Sequence, residues 1–236
     1  MSPQLGRLIP LMRGKDKPTC LMIPGAGGGL APYLRLAGFL GQTYNVYAVR
    51  AAGLVPDEPP ETSVQAMTDG VLTALDSLVP DVVFGWSMGG TIAWEVCVAL
   101  AAHQPRLVMI DCSPFRLPHN PARDEATLRR IVGMLGTRPD ENTLARVTQT
   151  FHAHVKALTD FETSRRYDGP AQLLVCTGES DLVDRASAIE RWQSLAPDLR
   201  LGTVPTDHFG VFEPEHLPRL TEPIGEFLEM PAGVAG

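Results

Sequence analysis

The sequence predicts an α/β fold built on a mostly parallel sheet of about seven strands flanked by helices. Three observations carry this reading. Short apolar runs of strand length alternate with segments of helical periodicity. The runs are continuously apolar rather than alternating, which suits parallel strands covered on both faces. The chain is 236 residues long and 44 % hydrophobic, enough for one sizeable core but short for two full domains.

Taken in order, residues 8–12 add an edge strand ahead of the buried ones. Segments 19–23, 45–49, 81–84, 107–110, 173–176 and 199–204 each fit a short buried strand. Helices are expected at 33–40, 63–78, 88–102, 184–195 and 217–228. One interval breaks the rhythm. From 113 to 170 no convincing strand occurs, and 120–135 and 141–158 are helical in pattern, rich in Arg, Thr and His. A sheet protein does not need such an excursion between two strands, so 113–170 is expected to be a helical lid inserted in a single domain spanning 1–236. The plainer alternative is a pair of helices that only covers apolar surface.

Composition excludes several classes. The net charge of −7 argues against a nucleic-acid binder, which needs a basic face. No run of about 18 apolar residues occurs, so no membrane span is expected. Pro3, Gly6, Arg7 and Pro10 interrupt the first residues, so no signal peptide is expected either. Cys20, Cys97, Cys112 and Cys176 are far apart, lack CxxC spacing and lie in or beside apolar runs. That pattern suits reduced, buried thiols in a cytoplasmic protein and gives no metal site.

The most informative segment is Gly85-Trp86-Ser87-Met88-Gly89, a G-x-S-x-G nucleophile elbow. The pentapeptide alone is a weak signal. Its context is strong, because an apolar strand precedes it and a helix follows. The glycines leave room for a sharp turn that lifts the Ser87 hydroxyl above the carboxyl edge of the sheet. The Met88 N–H, at the helix N-terminus, would face a developing oxyanion.

A second glycine-rich loop, Pro24-Gly-Ala-Gly-Gly-Gly29, follows the strand 19–23. It lacks both the GxxxxGK[ST] and the G-x-G-x-x-G spacings of phosphate loops. Its better reading is the other wall of an oxyanion hole, with the Ala26 N–H paired to that of Met88.

The general base is expected late in the chain, in the order Ser…Asp…His. His208 fits, because it follows the last strand at the edge that faces the elbow. His103, His119 and His216 read as surface residues. His152 and His154 fall in the insertion, where a solvated helix face is the expectation and lining of a substrate channel the alternative. Two acids keep the chain order at carboxyl strand ends: Asp111 after 107–110, and Asp181 after 173–176. Either could orient the imidazole and stabilise its cation. Asp207 points elsewhere by chain direction.

With these residues in view, the chain resembles the α/β-hydrolase thioesterases of nonribosomal peptide and polyketide assembly lines. Pro24-Gly-Ala-Gly-Gly28 is similar to that family's first loop. Gly85-Trp-Ser-Met-Gly-Gly90 with Ala93-Trp-Glu95 is similar to its elbow and helix. Met109-Ile-Asp-Cys-Ser-Pro114 is similar to the acid-bearing strand end of chain-terminating members, and His208-Phe209 to the family's C-terminal region. The resemblance favours Asp111 as the acid. Stand-alone editing members place it one strand later, as Asp181 would be. The chain is therefore expected to be a free-standing enzyme or an excised domain.

The resemblance implies acyl transfer in two steps, from the phosphopantetheine thioester of an acyl or peptidyl carrier protein to Ser87, then to water or another nucleophile. Phosphopantetheine belongs to the substrate, so no bound cofactor is implied. Contact with a commonly acidic carrier would rely on local arginines such as Arg116, Arg123, Arg129 and Arg130. The alternatives are a small-molecule carboxylesterase, and a non-catalytic binding protein of the same fold.

Overall fold

A computed structural model describes residues 6–135, 139–178 and 184–231. Seven strands form one sheet: β1 (Leu8–Met12), β2 (Thr19–Ile23), β3 (Asn45–Val49), β4 (Val82–Trp86), β5 (Arg106–Ile110), β6 (Ala171–Cys176) and β7 (Leu199–Val204). Their spatial order is β1-β3-β2-β4-β5-β6-β7, and only β1 runs antiparallel to its neighbour.

Alternation along each strand divides the core in two. Leu21, Ile23, Val83, Leu107 and Met109 point to one face. There they meet α2 (Val64–Leu75), α3 (Met88–Ala99) and α6 (Arg185–Leu195) through Met67, Val71, Ile92, Trp94 and Trp192. Cys20, Met22, Phe84, Val108 and Ile110 point to the other face, under α1 (Leu34–Leu40) and α7 (Leu217–Phe227). Two buried faces explain why β2, β4, β5 and β6 read as unbroken apolar runs.

Three elements differ from expectation, one of them α3, which ends at Ala99 rather than 102. β7 is not a buried strand: Leu201 is 44 % exposed, because among the described residues β7 is the outermost strand, with a neighbour on one side. Helix α2 ends three residues early, where Asp76 takes φ +52° and turns its N–H onto the Thr73 carbonyl.

The insertion contributes α4 (Pro121–Gly133) and α5 (Glu141–Thr159), and no strand occurs among its described residues. Asn120 and Asp140 cap the two helices by accepting the N–H of Arg123 and Thr143. Ile131, Val147, Phe151 and Val155 form a small apolar cluster of their own between the helices. The segment closes on itself through Leu117 N–H to Leu158 O at 3.0 Å and Thr163 N–H to Pro114 O at 2.8 Å.

Candidate active site

Ser87 sits between the end of β4 and the start of α3, with φ +56° and ψ −131°. Such a conformation is unfavourable for a serine and persists only where the surroundings enforce it. Here they do. A Cβ on Gly85 would lie 2.1 Å from the Gly89 carbonyl oxygen, and one on Gly89 would lie 2.3 Å from that of Ile23. The turn can therefore close only with both glycines. Ser87 N–H donates to Ile110 O at 2.9 Å, which ties the elbow to β5.

Asp111 and His208 meet across 97 residues of sequence. His208 Nδ1 lies 2.7 Å from Asp111 Oδ2, and both side chains are more than nine-tenths buried. The second carboxylate oxygen accepts the Cys176 N–H at 3.1 Å. The Asp111 N–H donates to Leu174 O, so the acid is held from both ends by β6. A carboxylate at Nδ1 fixes the proton of the neutral ring there and leaves Nε2 as the acceptor. Asp181 lies outside the described residues. Asp207 turns away from its neighbour: its Oδ1 accepts the N–H groups of Phe209 and Gly210.

Trp86 contributes a contact that sequence reasoning missed. Its indole stacks on the His208 imidazole, with centroids 4.8 Å apart, and its Nε1–H donates to the His208 carbonyl at 3.1 Å. The residue beside the candidate nucleophile thus holds the ring of the candidate base. Its place inside the elbow motif was the available signal.

The first loop accounts for its amides one by one. Gly25 N–H donates to Tyr33 Oη at 2.7 Å, Gly27 N–H to His154 Nδ1 at 3.2 Å, and Gly28 N–H to Gly25 O at 3.0 Å. Among the described residues, no hydrogen bond is seen from the N–H groups of Ala26, Gly29 and Met88, and of the two loop residues Ala26 is the one that lines the cavity. Ala26, Ser87 and His208 all line one cavity of about 330 Å³, whose far wall is made by α4 and α5 through Ile131, Phe151 and Val155. This constellation can activate a hydroxyl and hold an anion beside an apolar chamber.

The thioesterase domain family matches residues 18–228. The chain belongs to that family. A nonribosomal peptide synthetase of Aspergillus terreus, btyA, is 32 % identical over 109 residues, which is 43 % of this chain and 12 % of that protein. The chain therefore spans a small fraction of that curated relative. Among solved structures, a Vlm2 thioesterase domain bound with a dodecadepsipeptide superposes with a TM-score of 0.76 at 21 % identity, covering 93 % of this chain and 96 % of that one. The type II thioesterase BorB from the borrelidin biosynthetic cluster gives a TM-score of 0.77 at 20 % identity, with 94 % and 97 % covered. At such identities these likenesses establish the shared fold.

One expectation needs correction in this thioesterase. His154 is not on a solvated face: it is 2 % exposed, whereas His152, two residues earlier, is exposed. The helix turns His154 onto the same side as Phe151 and Val147, toward the first loop. The four arginines expected to meet a carrier protein already face acids. Arg116 pairs with Glu162, Arg123 with Asp124, Arg129 with Glu125 and Arg130 with Asp207. Arg123 and Arg130 also line the cavity, and the Arg130 side chain remains 56 % exposed.

Proposed function

We propose that this thioesterase domain releases an acyl or peptidyl chain from a carrier-protein thioester through an acyl-Ser87 intermediate. The observation that carries the reading is the buried Asp111–His208 pair, at 2.7 Å, whose His208 lines one cavity with the strained Ser87. In the first step His208 Nε2 takes the Ser87 hydroxyl proton as Oγ bonds to the thioester carbonyl carbon. The carbonyl electron pair moves to oxygen, where the Ala26 and Met88 N–H groups hold it. The pair returns, the C–S bond breaks, and the departing sulfur takes the proton from His208. Asp111 stabilises the imidazolium throughout. In the second step His208 removes a proton from the incoming nucleophile, and the ester to Ser87 is cleaved by the same sequence in reverse.

The partner in this reading is a carrier protein bearing the acyl group on phosphopantetheine. α4 and α5 act as the lid that shapes the chamber and governs which nucleophile enters. The four buried, well-separated cysteines suit a cytoplasmic setting.

A serine-reactive fluorophosphonate tests the nucleophile. The wild type should gain one phosphonyl group by mass spectrometry, and Ser87→Ala should gain none. Incubation with an acylated carrier protein should then remove the acyl mass. A wild type that takes no label would instead support a non-catalytic binding protein, and labelling without turnover of the carrier-bound acyl group would favour a small-molecule esterase.

A further inference from the structure

We propose that His154 is a positioning residue that links the seating of helix α5 to the completeness of the oxyanion hole. The inference rests on the acyl-serine reading of Ser87, and concerns how the Ala26 amide is aimed. His154 lies in the middle of α5, and its Nδ1 accepts the Gly27 N–H across 127 residues of sequence. Among the described residues this is the one hydrogen bond between α5 and the first loop.

Peptide geometry explains why that bond matters. The Ala26 N–H belongs to the planar unit joining Gly25 to Ala26. The unit before it is fixed by Gly25 N–H on the Tyr33 hydroxyl, and the unit after it by Gly27 N–H on His154. The middle unit is itself held at its carbonyl, Gly25 O, by the Gly28 N–H at 3.0 Å, which closes a turn whose centre is the Ala26–Gly27 unit that His154 anchors. Remove the His154 acceptor and the centre of that turn is released, in a loop where glycines make rotation easy, so the turn that carries the Ala26 N–H loosens. Tyr33 comes from the sheet scaffold, but His154 comes from the insertion, so the second pin is present only when α5 is in place.

The bond also dictates the state of the ring. A nitrogen that accepts a hydrogen bond carries no proton, so the His154 proton sits on Nε2 and the ring is neutral. Burial pushes its pKa down to about 4, which keeps that state at neutral pH. The charged side chains lining the small cavity beside it are Arg7 and Glu61, and these are paired with each other at 2.7 Å. The remaining lining from α2 and α3 is apolar, including Met67, Val71 and Ile92. Phe151 and Val155 of the same helix form cavity wall one turn from, and next to, His154. An acyl chain that lifts or seats those side chains would move the pin with them.

The test compares His154→Leu, which removes the acceptor at similar volume, with His154→Asn, whose Oδ1 can stand where Nδ1 stood. Both are assayed on a soluble acyl thioester, with thermal midpoints recorded to confirm folding. His154→Leu should lower kcat on the order of 10- to 100-fold with KM within about twofold, because the oxyanion contact is made in the transition state. His154→Asn should recover most of that loss, and amide exchange at Gly27 should be fast in the Leu variant and slow in the Asn variant. A folded Leu variant with wild-type kcat, or with a raised KM alone, overturns the inference while the acyl-serine reading survives. Equal losses in the Leu and Asn variants, with equal Gly27 exchange, also overturn it. A wild type inert to both fluorophosphonate and thioester overturns the acyl-serine reading itself, and the inference with it.

Discussion

The sheet and the insertion hold their functional groups by different means. In the sheet, Ser87 is tied to β5 through Ile110, and Asp111 to β6 through Leu174 and Cys176. Each bond extends a parallel ladder whose strands are buried on both faces, so the groups cannot shift without disrupting the core. In the insertion, α4 and the facing part of α5 rest on an apolar cluster of four buried residues with His154 to Gly27 and Arg130 to Asp207, whereas its last part is anchored in the main core by Ala157 and Tyr167 and by Arg165 on Glu95. Small clusters with few cross-links open at lower free energy than a continuous sheet core. In the proposed reading the contrast separates two jobs: bond making falls to the rigid part, and shaping of the chamber to the part able to change.

The largest expected effect falls on the sheet. Asp111→Asn should lower kcat about 10⁴-fold with little change in KM, because an amide no longer fixes the ring tautomer or stabilises its cation. Steady-state kinetics on a thioester checks this. Intact turnover would move the acid off β5 and end the assignment of the chemistry to the ladder.

An intermediate effect belongs to the seam between the two regions. The folded pKa of His154, about 4, lies below its ordinary value of 6.5, so between those values the unfolded chain binds the extra proton. Stability is therefore full above pH 6.5 and declines as pH falls toward 4. Between pH 7 and pH 5 the wild type should lose roughly 2 kcal/mol more than His154→Leu. Urea titrations at the two pH values measure the difference, and equal losses would mean that the seam is already hydrated.

The smallest effect is expected at the rim. Arg130 meets Asp207 at 3.4 Å and lies over the Phe209 ring at 5.0 Å, with both charged side chains well exposed. Arg130→Ala should cost no more than about 1 kcal/mol in unfolding free energy. A larger loss would show that the insertion is braced at its rim as firmly as the sheet is within its core.

Much of the scaffold is legible in the sequence, because double-sided burial leaves a plain mark: an unbroken apolar run at 82–84, then Gly85, Trp86, a serine and a helix. β7 was harder, since the composition of Leu199–Val204 does not reveal that no strand lies beyond it. The acid could not be decided from residues alone. Asp111 and Asp181 share a strand-end setting, and the resemblance to chain-terminating thioesterases tipped the choice. The 2.7 Å approach of His208 is a tertiary fact that no local pattern encodes. His154 illustrates the same limit. Its place on the stripe through Val147 and Phe151 is readable, but a histidine on an apolar stripe signals a partner only once the facing chain is known.

The grip of Trp86 on His208 has a mechanical consequence. The imidazole is delivered by a loop that follows an exposed outer strand, the part of any sheet most prone to fraying. Its position is nonetheless gauged from the centre of the sheet, by an indole on the nucleophile's own strand that both stacks on the ring and bonds its carbonyl. Breathing of the outer strand need not be transmitted to the distance between Ser87 and His208, because the candidate nucleophile and base are indexed to the same central residue rather than to each other across the molecule.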